Sequence, residues 1–203
     1  MIWRVVHLDN VPWLLEHGLP AASSNELAPH YVGIGNEGLI ERRQEVEVPI
    51  APGGVLADYV PFYFTPFSPM MYNIRTGRDV PHVPNGKLVI LLSDLHRIAA
   101  CGLDWLFTDR HAALRLARCH NDLVSLHRID WDLLRRRDFK RDVDDPEKMD
   151  KYQAEALVHR HLPIAAIRGI FVHDEVAVTF LKGCIDRVGI TVPVAIGRNW
   201  YFR

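Results

Sequence analysis

Four groups of residues have types and spacings that suit chemistry. Gly33-x-Gly35-x-x-Gly38 spells the glycine pattern of a dinucleotide-binding turn, and Asp58 stands where such a turn sets its ribose-binding acid. That pattern needs a buried strand before it and a helix after it. Only Tyr31-Val32 precede it here, behind the loop Pro20–Pro29, so the glycines read as a loop that uses positive φ. The chain carries 11 histidines, which raises metal binding. His159-x-His161 would set two imidazoles on one face of a strand, with Glu155 four residues before His159. No third ligand follows at a suitable spacing, and His82, His120 and His127 are scattered. The histidines therefore read as surface or hydrogen-bonded groups, and no metal is expected. Arg135-Arg136-Arg137 with Lys140 and Arg141, joined by Arg110, Arg115 and Arg118, suits phosphate, with Trp131 and Phe139 able to stack on bases. Asp130, Asp132, Asp138 and Asp142 offset that charge, so a solvated face is the competing reading. Finally, the string Asp58–Thr65 followed by Ser68-Pro69-Met70-Met71-Tyr72 is rich in aromatics. It suits an aromatic core strand with a capped turn, or a stacking wall for a flat ring such as nicotinamide or a base.

Composition limits what can position these groups. A chain of 203 residues, 48% hydrophobic and 24% charged, is long enough for one well-cored domain. It is neither mainly disordered nor fibrous. Lys+Arg 24 against Asp+Glu 25 leaves a formal charge of −1, so any nucleic-acid binding must use a local patch. Cys101, Cys119 and Cys184 form no CxxC pair, which suits a reduced, cytoplasmic protein. No apolar run approaches the roughly 20 residues that cross a bilayer, and the first residues lack a signal-peptide pattern.

The elements follow from pattern and punctuation. Ile2–Val6, Tyr59–Thr65, Leu88–Leu92, Trp105–Thr108, Ile170–Val172, Val192–Ile196 and Trp200–Phe202 read as strands. Val11–His17 reads as a helix, capped by Asp9 or Asn10, with Pro12 in its first turn and Gly18 ending it. Ser68 caps a short helix, Ser93-Asp94 another, and Leu39–Gln44 is helical. Asp174–Arg187 is amphipathic, with Val176, Val178, Phe180, Leu181 and Ile185 available for its buried face. Asp122–Asp150 is dense in charge with few apolar positions, a solvated segment or contact surface. Glu155–Val158 fits a strand or a helix end. Leu19–Ile34 reads as a loop. Scattered strands with irregular helices suit a single α+β domain over residues 1–203.

Several strings, in order along most of the chain, resemble the DarT family of DNA ADP-ribosyltransferase toxins. They are Val6–Asn10, Glu41-Arg42-Arg43 with Val48-Pro49 and Gly53-Gly54, Asp58–Thr65 with Ser68–Tyr72, Phe107–Ala112 and Tyr152–His159. The resemblance implies an ADP-ribosyltransferase fold like that of a poly(ADP-ribose) polymerase catalytic domain, a split β-sheet with surrounding helices. It implies NAD⁺ as substrate, no metal, and transfer of ADP-ribose to a thymidine base in single-stranded DNA with release of nicotinamide. It also implies a macrodomain antitoxin, of the DarG type, as partner.

Placed on this sequence, the resemblance puts the catalytic glutamate at Glu155, the key arginine at Arg43 with Arg42 second, and a histidine at His111. It puts NAD⁺ contacts at His7, Leu8, Asn10, Gly35 and Tyr72, the glycine lying in a loop that spans residues 30–43. Where many members read Tyr-His-Ile-Thr-His, this chain reads Trp3-Arg4-Val5-Val6-His7, and Arg4 offers a contact to phosphate. Arg135, Arg136, Arg137, Lys140 and Arg110 are the expected DNA-binding patch. Two readings compete with this one: NAD⁺-dependent modification of RNA or protein, and an inert nucleic-acid-binding module.

Overall fold

The computed structural model describes residues 1–203 except Asn25, Leu27, Arg141 and Arg203. Its strands are β1 (Ile2–His7), β2 (Leu19–Pro20), β3 (Tyr59–Tyr63), β4 (Leu88–Ser93) and β5 (Trp105–Thr108), then β6 (Cys119–His120), β7 (Glu155–His159), β8 (His161–Leu162), β9 (Gly169–Val172) and β10 (Val194–Ile196). Between them run α1 (Val11–His17), α2 (Glu37–Arg42), α3 (Pro69–Thr76), α4 (Leu95–Ala100), α5 (Trp131–Arg136), α6 (Lys148–Lys151) and α7 (Glu175–Val188).

The aliphatic run of β4 is buried on both faces, as a strand covered by helices must be. It lies within one eight-stranded sheet ordered β10-β9-β4-β1-β3-β7-β5-β6. Only β9 and β10 run parallel; β2 and β8 form a separate small ladder. The ladder is uneven. β1 pairs with β4 along its whole length, from Ile2↔Ser93 to His7↔Leu88, and β3 pairs with β7 along its own. β1 and β3 meet at a single register pair, Trp3↔Tyr63. The sheet is therefore two four-stranded halves joined at one point, the split sheet that the resemblance implies. Past that point the facing edges carry backbone groups with no ladder partner. Arg4 answers one of them: its Nη1 donates to the Pro61 carbonyl at 2.8 Å.

Local chemistry explains the flanking helices. Ser68, Asp94 and Asp174 each accept a hydrogen bond from the N–H three residues on, as N-caps. Gly18 closes α1 at φ 74, where a Cβ would lie 2.6 Å from the His161 ring.

Several expectations need correction. On α7 the buried residues are Ala177, Val178, Leu181, Cys184 and Ile185, one face of a 3.6-residue period; Val176 and Phe180 sit off that face, 80% and 43% exposed. Within the charged segment Asp122–Asp150, Ile129, Leu133 and Leu134 pack into the main core. Trp200–Phe202 is no strand: Arg198–Trp200 forms a 3-10 turn. His159 and His161 do not share a strand face, because Arg160 takes φ 62 between β7 and β8. None of the triplet glycines takes positive φ; Gly33 and Gly35 lie in loop and Gly38 in α2. Gly35 instead permits close packing, since a Cβ there would meet Ile40 at 3.2 Å.

Candidate active site

The split opens a cleft of about 210 Å³, with β1 on one side and β3 and β7 on the other. Glu155 is the first residue of β7, in register with Tyr63, and is 2% exposed. Arg43 follows directly on α2. Its N–H donates to the Leu39 carbonyl at 3.2 Å and its carbonyl accepts from Ala57 at 2.9 Å, which fixes its backbone between α2 and the entry to β3. Across 112 residues of chain, Arg43 Nη1 donates to Glu155 Oε2 at 2.8 Å. Glu155 Oε1 accepts from the Ala112 N–H at 3.2 Å. The Glu155 N–H donates to Thr108 Oγ1 at 3.3 Å, and that hydroxyl donates to the Arg110 carbonyl at 2.7 Å. The carboxylate is thus held by Arg43 and Ala112, and the backbone beneath it by Thr108.

The electrostatics are lopsided toward positive charge. Two guanidiniums, Arg4 and Arg43, line the cleft with one carboxylate. Arg4 Nε and Arg43 Nη2 are buried without a hydrogen-bond partner among the described residues. A buried donor left unpaired costs about 1–3 kcal/mol, so both are placed to gain when an acceptor enters. Burial also lowers the Arg4 pKa, opposed by neighbouring tyrosines. The Tyr63 hydroxyl is pushed well above its ordinary range, first by burial and then by Glu155. His111 lines the same cleft, and its Nδ1 accepts from the Ala113 N–H at 3.1 Å. A neutral His111 ring therefore carries its proton on Nε2.

The structure brings Glu155, Arg43, His111 and Gly35 to one cleft. Arg42 is exposed on α2 and outside the lining. His7 is 9% exposed and accepts the Asp9 N–H at 3.2 Å; its pKa is lowered chiefly by burial. Leu8 is buried in the main core. Asn10 does not cap α1 with its side chain. It clamps the cleft loop instead, donating from Nδ2 to the Val32 carbonyl at 2.9 Å and accepting the Val32 N–H at 2.8 Å. Tyr72 lies outside the lining, its ring edge-on to Phe202 at 5.7 Å, although Met70 and Asn73 of the same helix reach the cleft.

Of the basic patch, Arg135 pairs with Asp132 at 2.6 Å, and Arg110 sits between Asp109 at 3.4 Å and Glu147 at 3.0 Å. Arg136, Arg137 and Lys140 form no ion pair among the described residues; Arg141 lies outside them. Asp58 is structural: it accepts from Ser23 Oγ and the Val55 N–H and pairs with Arg160. Sequence reasoning passed over Tyr63, Gln153 and Tyr31 as cleft residues. The aromatic string signalled Tyr63, but only the split in the sheet turns its side chain to the cleft. Among the described residues no group of three or more His, Cys, Asp or Glu is placed to hold a metal ion, and no helix is long and apolar enough to cross a membrane.

A buried carboxylate paired with arginine thus stands at the opening of a split sheet. Residues 3–202 match the family described as ssDNA thymidine ADP-ribosyltransferase, DarT, and the chain belongs to that family. A DNA ADP-ribosyl transferase of Escherichia coli O127:H6 is 44% identical over 203 residues, covering 100% of this chain and 93% of that protein. The structure of Thermus sp. 2.9 DarT in complex with ADP-ribosylated ssDNA superposes with a TM-score of 0.89 at 33% identity, covering 99% of this chain and 95% of that one. The same Thermus protein in complex with NAD⁺ gives 0.83 at 32% identity, covering 99% and 96%.

Proposed function

We infer that this chain transfers ADP-ribose from NAD⁺ to thymidine in single-stranded DNA and releases nicotinamide, with Glu155 as the central catalytic residue. The observation that carries the reading is the buried Glu155–Arg43 contact within the split-sheet cleft. Breaking the bond between nicotinamide and ribose leaves positive charge on the ribose C1. In a poorly solvated cleft, the Glu155 carboxylate opposes that charge and can accept a ribose hydroxyl. The electron pair of the broken bond leaves on the nicotinamide nitrogen. A thymine ring nitrogen then bonds to C1 and surrenders its proton.

The geometry divides the roles. His111 has Nδ1 occupied and a proton on Nε2, so as a neutral ring it donates and suits holding a carbonyl oxygen. Glu155, with lone pairs beyond its two bonds, is the better proton acceptor. Arg43 stays charged and suits steadying the base as it loses its proton. Arg4 and Arg43 offer unpaired donors to pyrophosphate oxygens of NAD⁺. Gly35 keeps the loop close to the cleft, and Asn10 contributes by clamping that loop. His7, Leu8, Arg42 and Tyr72 would reach NAD⁺ only at the cleft margins or through their neighbours.

Single-stranded DNA would run over the face carrying Arg136, Arg137 and Lys140, with Arg135 and Arg110 contributing less because carboxylates already hold them. On this reading residues 1–203 work as one domain, the toxin of a toxin–antitoxin pair in the cytoplasm. A macrodomain protein that removes the mark would be its antitoxin. The test is direct: incubate the protein with NAD⁺ and thymidine-containing single-stranded DNA, RNA or protein, and read mass gain on each. A gain of ADP-ribose on DNA alone is expected. Gain on RNA or protein without DNA, or none on any, overturns the reading.

A further inference from the structure

Three phenylalanines far apart in sequence, Phe67, Phe139 and Phe202, converge on an open notch beside the cleft. The rings of Phe67 and Phe202 lie 5.4 Å apart and those of Phe139 and Phe202 5.7 Å apart. The chain between the two cavities is short. Phe67 immediately precedes the Ser68 cap of α3, whose Pro69, Met70 and Asn73 line the cleft. Phe139 packs on Tyr152 at 4.7 Å, and the next residue, Gln153, lines the cleft. Residues two apart in the chain, Phe67 and Pro69, thus line the notch and the cleft.

The rim is cationic. Arg137 and Arg198 line the notch, no acidic residue does, and neither arginine forms an ion pair among the described residues. Arg137 stands at φ 52, just past α5, where glycine is usual. From there its guanidinium carbon lies 4.0 Å from the centre of the Phe67 ring. Phe67 is 6% exposed beneath that cation, so the faces left to a base are the exposed guanidinium plane and the half-buried rings of Phe139 and Phe202, with arginine at hand for the phosphate.

We propose that this notch is a stacking subsite for a nucleobase of the same DNA strand, flanking the thymidine held in the cleft. It deepens, and rests on, the DNA-acceptor reading above. A polymeric acceptor must leave the cleft, and the notch, a few residues along the chain from the cleft lining, offers half-buried aromatic rings and, among the described residues, unpaired positive charge.

The test uses oligonucleotides with one thymidine, in which an abasic unit replaces each flanking nucleotide in turn. Wild-type protein modifying the intact oligonucleotide secures the DNA-acceptor reading independently; no modification overturns that reading and this proposal with it. Given intact modification, an abasic unit at one flanking position is expected to raise the KM for DNA about tenfold. Arg137→Gln and Phe202→Leu are each expected to raise the KM for intact DNA and to erase most of that abasic penalty. Uniform KM across all abasic positions overturns the subsite. So does an undiminished abasic penalty in both variants, or a KM for NAD⁺ that rises in step with the KM for DNA, which marks a structural defect instead.

Discussion

The cleft and the notch are lined by near neighbours in the chain, Pro69 and Phe67, yet are built on opposite terms. In the cleft, charge is buried and held: Glu155 accepts from Arg43 and Ala112, and its strand is pinned through Thr108. In the notch, charge is exposed and unpaired, and the walls are aromatic. The difference follows from what each must do. A reacting centre gains most from fixed groups in a low-dielectric space, where each interaction is strong. A surface that grips successive bases needs ring faces and mobile cations, and loses little by leaving them wet.

The largest effect should come from breaking the cleft. Glu155→Gln keeps the side-chain volume but removes the charge. Nicotinamide release and transfer to DNA should fall about 10³-fold, read by chromatography and mass gain, with the circular dichroism spectrum retained. Turnover near the wild-type rate would erase the distinction between the two regions. Arg43→Lys retains a cation but not the planar fork, and transfer should fall about 10²-fold; full rescue by lysine would mean that charge alone suffices. Asn10→Ala should be milder. It frees Val32 from two hydrogen bonds and loosens the cleft loop, so the KM for NAD⁺ should rise about tenfold with kcat less affected.

Salt and pH sharpen the contrast further. Replacing Arg136 and Arg137 by Gln should flatten the dependence of DNA affinity on salt, by about 0.7 in log–log slope for each phosphate that loses its arginine. Glu155→Gln should leave that slope unchanged, and a shift there would tie the cleft charge to DNA retention. The smallest effect is expected at Tyr63. Its folded pKa is raised by burial, so the hydroxyl stays neutral as pH rises through the range where a free tyrosine ionises. Tyr63→Phe should therefore leave the alkaline limb of the rate profile where it is.

Much of the fold was legible from residues alone. The aliphatic run of β4, the aromatic β3 and the Pro12-to-Gly18 punctuation of α1 announced themselves, as did the cap at Ser68 and the one within Ser93-Asp94. These are local signals, decided by side-chain period and by backbone donors within a turn. Errors fell where a longer-range partner ruled. Val176 and Phe180 lost their expected burial because the core took the neighbouring face of α7. The final Trp200–Phe202 segment gave up strand geometry as Tyr201 sent its hydroxyl to the carbonyls of Leu88 and Phe171, both at 3.0 Å. Asn10 was a plausible cap by type, yet its side chain spans to Val32.

The amino-acid order by itself settled the elements with strong local signals, β1, β3, β4, β5, α1 and α7 among them, and its strings carried the family. The resemblance singled out Glu155 and Arg43 one by one, without a reason for them to meet. Their contact, the split at Trp3 and Tyr63 and the gathering of Phe67, Phe139 and Phe202 were decided only by tertiary structure. The physical reason is range. Caps and periods act over a few residues, whereas a cleft is the space left when strands distant in the chain pair at one point and then part.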